Sequence, residues 1–164
     1  GYTSRELVTQ HDNILVLRTF SKGYSLAGLR LGYLLGAEEL IRPIIEKTRD
    51  SYNIDAISQS LGIAALRDQD YARATWEKVR EQRQFLAQAL NDLGWSCLAS
   101  EANFLLSTPP PNSLGAAEIY KRLKAEGILV RYFDHPRLHD KLRISIGTKE
   151  QNQVLLENLR RLCR

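Results

Sequence analysis

Apolar positions follow two rhythms along this chain. In some segments they run together or alternate; in others they recur every three or four residues. Residues 14–18, Ile-Leu-Val-Leu-Arg, form a continuous apolar run with β-branched members. That pattern predicts a buried strand of a parallel sheet. The polar, glycine-containing string Thr19-Phe20-Ser21-Lys22-Gly23 stops it. A second apolar run, Leu31-Gly32-Tyr33-Leu34-Leu35, ends at Gly36. Residues 38–50 read as a helix, with Pro43 either in its first turns or kinking it. Asp55 and Ser58 offer caps for a helix reaching Arg67, with Ile57, Leu61 and Ala64 on one face.

Residues 70–93 carry Val79, Leu86, Leu90 and Leu93 at helical spacing, without Gly or Pro, and Gly94 supplies the stop. Such a helix would be ~36 Å long at 1.5 Å per residue, long enough to bridge two lobes. Beyond Gly94 the rhythm shortens. Strands are expected at 95–99 and 103–107, followed by the rigid break Pro109-Pro110-Pro111. A helix follows over 114–126 and stops at Gly127, then strands at 128–133 and 141–146. A last helix spans 149–163, with Val154, Leu155, Leu159 and Leu162 inward. The expected fold class is α/β: an α/β first part over 1–75 and a small α+β lobe over 76–164, linked by the helix at 70–93.

The chain has 164 residues, 43% of them hydrophobic, an ordinary globular balance. This excludes a disordered tail, a collagen-like repeat and a disulfide-dense mini-protein. No apolar run approaches the ~20 residues of a membrane-spanning helix. Two cysteines, Cys97 and Cys163, lie far apart and read as reduced thiols of a cytoplasmic protein. Three histidines (His11, His135, His139) offer no Cys/His pair at metal-ligand spacing, so no metal is expected. The chain starts at Gly1 and contains no Met, which suggests a piece of a longer polypeptide.

Charge changes the picture further. The net charge is +4, and the last quarter or so of the chain, from Lys121 onward, is the basic part. A basic region suits an anionic ligand, a nucleic acid or simply solvated helix faces. Acids such as Asp134 and Asp140 are mixed among these bases, which weakens the nucleic-acid reading.

The chemistry concentrates in residues 19–33, Thr-Phe-Ser-Lys-Gly-Tyr-Ser-Leu-Ala-Gly-Leu-Arg-Leu-Gly-Tyr. Lys22 follows a predicted strand directly, and strand ends are where open α/β sheets place ligands. A lysine buried there loses its charge more readily, which suits it to condense with a carbonyl group. A hydroxyl (Ser21) and a guanidinium (Arg30) near one spot suit a phosphate.

The whole string resembles the lysine segment of the fold-type I pyridoxal-phosphate (PLP) aminotransferases. Within that superfamily the chain is most similar to the histidinol-phosphate aminotransferases. The supporting strings are Asn13 to Lys22, Ser51-Tyr52-Asn53-Ile54, Ala102-Asn103-Phe104-Leu105-Leu106, Gly127-Ile128-Leu129-Val130-Arg131 and Leu142-Arg143-Ile144-Ser145-Ile146-Gly147-Thr148. The resemblance implies that Lys22 attaches the cofactor and that Ser21 and Arg30 bind its phosphate. It also implies that Arg143, with Arg131, binds an anionic group of the substrate. The implied fold is the C-terminal part of the PLP-binding large domain plus the small C-terminal domain.

The implied reaction is amino transfer between L-histidinol phosphate and 2-oxoglutarate in histidine biosynthesis, by a cytoplasmic homodimer. Neither nucleic acid nor membrane is an expected partner. The resemblance assigns the glycine-containing phosphate loop, the ring-stacking aromatic, an Asn, the Asp that pairs with the pyridine nitrogen and the Tyr after it to a segment not present here. The 164 residues alone are therefore expected to be inactive. Alternatives are an aromatic amino-acid aminotransferase or a threonine-phosphate decarboxylase on the same scaffold, a scaffold relative without chemistry and, more distantly, a non-enzymatic module that binds anions or nucleic acid through the basic region with Tyr132 and Phe133.

Overall fold

A strand β1 (Val16–Thr19) pairs antiparallel with β2 (Gly32–Leu35), in the register Val16 to Leu35 and Thr19 to Gly32. These coordinates are a computed structural model, which describes residues 4–48, 51 and 53–162. By its internal contacts the chain divides into two compact units, Gly1–Ala74 and Thr75–Arg164.

In the first unit a single 3-10 turn (Ser4–Glu6) leads into a short helix α1 (Leu7–Gln10), which the apolar pattern does not predict. The parallel, buried strand expected at 14–18 is corrected on both counts. The linking residues 20–31 fold back at their neck, where the Phe20 N–H donates to the Leu31 carbonyl at 3.0 Å. With no crossover helix between the strands, the chain returns antiparallel. Only Val16 of β1 is buried, and Leu17 is 77% exposed. A two-stranded ribbon has too few neighbours to cover both faces.

Helix α2 spans Glu38–Thr48 with Pro43 past its first turn; the expected end at 49–50 lies outside the described residues. Helix α3 (Ala56–Arg67) is capped as the sequence predicts, with the Asp55 carboxylate accepting from the Ser58 N–H at 2.8 Å. Its buried face differs from the expected one. Ile57 is 72% exposed and Leu61 is exposed too, whereas Ser58 and Gly62 are buried. A Cβ on Gly62 would collide with the end of the Leu31 side chain. The helix therefore packs through its small residues, because only they allow its backbone so close to Leu31.

Helix α4 (Gln69–Asp92) begins in the first unit and continues into the second. Gly94 ends it at φ +81°, the left-handed conformation that glycine adopts without a Cβ penalty. The second unit holds a four-stranded antiparallel sheet, ordered β3 (Ser96–Cys97), β4 (Phe104–Thr108), β6 (Leu142–Ser145) and β5 (Arg131–Tyr132). Helices α5 (Ala116–Ala125) and α6 (Lys149–Leu162) complete it. Alternation in β4 and β6 sends Leu105, Ser107, Leu142 and Ile144 to the buried face. There they join Leu86 and Leu90 of α4, Ile119 and Leu123 of α5, and Leu155, Leu156 and Leu159 of α6. Each fully buried leucine or isoleucine contributes about 1.5–3 kcal/mol.

In α6 the inward stripe is Asn152, Leu155, Leu156 and Leu159, while Val154 is exposed. Those four sit at i, i+3, i+4 and i+7, and Val154 falls off that stripe. The buried Asn152 amide donates to Gln82 Oε1 at 3.0 Å and to the Gly147 carbonyl at 3.2 Å, and accepts from the Gly147 N–H at 3.1 Å. Arg83 is also buried and donates to the Ala102 carbonyl at 2.9 Å and to Glu101 at 3.0 Å. Cys97 is a free thiol, half-buried beside the Ser107 hydroxyl, and burial raises its pKa; Cys163 lies outside the described residues. Among the described residues no helix is long and apolar enough to cross a membrane.

Candidate functional site

The five nominated residues fall into two groups, one in each unit. Ser21, Lys22 and Arg30 belong to the loop between β1 and β2. The neck of that loop is closed by the Phe20–Leu31 hydrogen bond, and Leu26 N–H donates to the Phe20 carbonyl at 3.1 Å. Ser21 follows Phe20 and Arg30 precedes Leu31, so the backbone brings the two residues to opposite sides of one neck. A further bond, from Ser25 N–H to the Lys22 carbonyl at 3.2 Å, makes the turn that carries Lys22.

Thr19 Oγ1 donates to Ser21 Oγ at 2.9 Å and accepts from the Ser21 N–H at 3.1 Å. Sequence reasoning gave Thr19 no role; its place at the end of β1, two residues before Ser21, is the signal that could have found it. Arg30 has φ +52°, in the left-handed region, and its Nη1 donates to the Ala27 carbonyl at 2.9 Å. Lys22 is exposed, which corrects the burial expected of a lysine at a strand end. It lies in a turn beyond Phe20, the last buried residue of that stretch.

The donor set suits a phosphate-bearing carbonyl compound. Two hydroxyls, a guanidinium and a primary amine share one loop, and residues 13–37 contain no Asp or Glu. Among the described residues no ion pair occupies Lys22 or Arg30. An anion arriving there meets uncompensated positive charge and hydrogen-bond donors.

The second group lies on the open face of the sheet. Arg131 of β5 and Arg143 of β6 are register partners, directly opposite each other, and both are exposed. Arg143 is also opposite Leu106 of β4. Two rings accompany the guanidiniums. Arg131 Cζ lies 5.0 Å from the centroid of the Phe133 ring; Arg143 Cζ lies 5.6 Å from that ring and 5.5 Å from the Phe104 ring. From sequence, Phe133 had a role only in the non-enzymatic anion-binding alternative, and Phe104 had none. Phe133 shares the parity of Arg131, which is the alternation signal that could have pointed to it. Among the described residues no carboxylate pairs with either guanidinium. His135 and His139 sit in the loop between β5 and β6, where His139 Nδ1 contacts the Pro136 carbonyl at 2.9 Å.

Comparison with known proteins places this geometry in context. The family model described as aminotransferase class I and II matches residues 1–159. Histidinol-phosphate aminotransferase 1 of a Nostoc species is 49% identical over 156 residues, which cover 95% of this chain and 43% of the relative. Histidinol-phosphate aminotransferase of Geotalea daltonii is 45% identical over 149 residues, covering 91% of this chain and 42% of the relative. Among solved structures, histidinol-phosphate aminotransferase from Sinorhizobium meliloti, in complex with pyridoxal-5'-phosphate, superposes with a TM-score of 0.82 at 30% identity. That match covers 97% of this chain and 44% of the other. The chain spans less than half the length of the relatives it matches.

Proposed function

The chain belongs to the class I and II aminotransferase family, and from that premise we propose that it carries the cofactor-anchoring lysine and the substrate arginines of a PLP-dependent aminotransferase. The observation that carries the reading is the acid-free loop between β1 and β2, whose closed neck at Phe20 and Leu31 is flanked by Ser21 and Arg30, with Lys22 in the adjoining turn. In this assignment Ser21 and Arg30 bind the cofactor phosphate. Lys22 Nζ would attach the cofactor, and the same amine would serve as the base that moves the proton at the substrate α-carbon. When bound, PLP supplies a ring that accepts electron density from that carbon.

The arginine pair takes the substrate. Guanidinium forks match phosphate and carboxylate oxygens in pairs, and an anion between Arg131 and Arg143 relieves their mutual repulsion. The names of the relatives favour L-histidinol phosphate as the amino donor, and 2-oxoglutarate is the acceptor of this assignment. The working assembly is a cytoplasmic homodimer. The region 1–74 corresponds to the end of the PLP-binding large domain, and 75–164 to the small domain.

A donor panel on the complete protein tests the assignment. Glutamate should form from 2-oxoglutarate most efficiently with L-histidinol phosphate. A preference for an aromatic amino acid, or release of carbon dioxide from threonine phosphate, would replace it.

A further inference from the structure

A ladder of alternating rings and guanidiniums crosses the open face of the second sheet, running Phe104, Arg143, Phe133, Arg131 at successive spacings of 5.5, 5.6 and 5.0 Å. Like charges directly opposite on neighbouring strands repel. Left to themselves, two exposed arginines would swing apart into solvent, each over many rotamers. Phe133 is the one ring of the ladder that contacts both of them. Its negative face attracts each cation and so opposes that separation. Tyr132, the neighbour in sequence, stacks instead on Tyr120 at 6.0 Å, beside the core.

We propose that Phe133 is a positioning residue that holds Arg131 and Arg143 converged on one dianion, giving the pair a preference for a phosphate monoester over a monocarboxylate. The proposal rests on the reading that these arginines bind the substrate's anionic group. A phosphate monoester carries close to two charges near neutral pH and presents three acceptor oxygens. It can take a fork from each arginine at once. A carboxylate has one charge and two oxygens, which a single fork satisfies. Convergence of the two guanidiniums therefore matters for the dianion and little for the monoanion, and the ring that enforces convergence acts as a selectivity element.

The test is a titration of the chain with methyl phosphate and, separately, with acetate. It is run at constant ionic strength and pH about 8, well above the phosphate's second pKa of about 6. The Nε–Hε resonances of Arg131 and Arg143 report binding at the pair, separately from the phosphate site assigned to Ser21 and Arg30, and the amide spectrum of each variant reports its fold. In Phe133→Leu, methyl phosphate should bind about tenfold more weakly, the loss expected for two exposed cation–π contacts, while acetate binding changes little. Phe133→Trp should restore phosphate affinity. Phe133→Met, also ringless, replaces the leucine variant if that disturbs the fold.

Unchanged phosphate affinity in the ringless variants overturns the proposal, as does an equal loss for both anions. The underlying reading is checked separately with Arg143→Gln. If that change leaves phosphate affinity intact, the arginine assignment itself fails and the Phe133 proposal falls with it. If it abolishes binding while the ringless variants bind normally, the assignment stands and only the Phe133 proposal is lost.

Discussion

Arg131 and Arg143 stand directly opposite each other on β5 and β6, with Phe133 in contact with both guanidiniums. Cross-strand like charges are destabilising, so this arrangement sacrifices some stability for a concentrated positive site. The two effects separate by mutation. Arg143→Lys keeps the charge but loses the planar fork, and should weaken methyl phosphate binding by about tenfold, the order of one charge-assisted hydrogen bond. Arg143→Gln should abolish binding at the arginine pair, read at the Arg131 Nε–Hε resonance, yet raise the stability of the unit by a few tenths to about 1 kcal/mol through relief of the pair. Parallel titrations and thermal melts check both.

Gly32 pairs with Thr19 at the end of the β1–β2 ribbon, next to the loop neck. A Cβ there would stand 2.6 Å from the Arg18 carbonyl oxygen, a backbone atom with little freedom to move. Gly32→Ala should therefore cost about 1–3 kcal/mol and loosen the loop that holds Ser21 and Arg30. Faster amide hydrogen exchange at Phe20 and Leu26, whose N–H groups close the loop, is the expected readout.

The cap of α3 carries a pH dependence. The Ser58 hydroxyl and N–H both donate to the Asp55 carboxylate, at 2.6 and 2.8 Å, and hold its pKa below the usual value. A depressed carboxylate stabilises the fold fully above its unfolded pKa of about 3.9. The contribution is lost as pH falls through the lower, folded value. As pH falls below about 4, α3 should progressively lose protection against hydrogen exchange. Asp55→Asn retains an N-cap acceptor and should flatten that part of the profile.

Asn152 ties α6 to α4 and to the end of β6 through three hydrogen bonds. Asn152→Ala removes them and strands the Gly147 N–H and the Gln82 side chain. An unfolding experiment in denaturant should show a loss of about 2–3 kcal/mol, with the slope against denaturant unchanged.

The second unit was far more legible in the sequence than the first. Gly94 and Gly127 marked helix ends, and both adopt positive φ. The alternation Leu142-Arg143-Ile144-Ser145 foretold two residues inward and two outward, as the strand places them. In the first unit the same reasoning picked the wrong face of α3. Periodicity equates apolar with buried, whereas Gly62 is buried against Leu31 and Ser58 reaches the Leu29 carbonyl, long-range contacts that no local pattern encodes. The antiparallel return of β2 follows instead from the absence of a crossover helix between residues 20 and 31, and the exposure of Lys22 from its place in the turn beyond Phe20. The site residues could be nominated from the resemblance, but the opposition of Arg131 and Arg143 depends on strand register. Phe133 falls within the strand expected at 128–133, but its contact with both guanidiniums depends on that same register.

Cofactor trapping at Lys22 tests the central claim most directly. The complete protein is incubated with PLP, reduced with borohydride, digested and mapped by mass spectrometry, with Lys22→Ala as control. The account predicts one dominant modified lysine, Lys22, and loss of that label in the control. Label spread across the other lysines with no preference for Lys22, unchanged in the control, would contradict it.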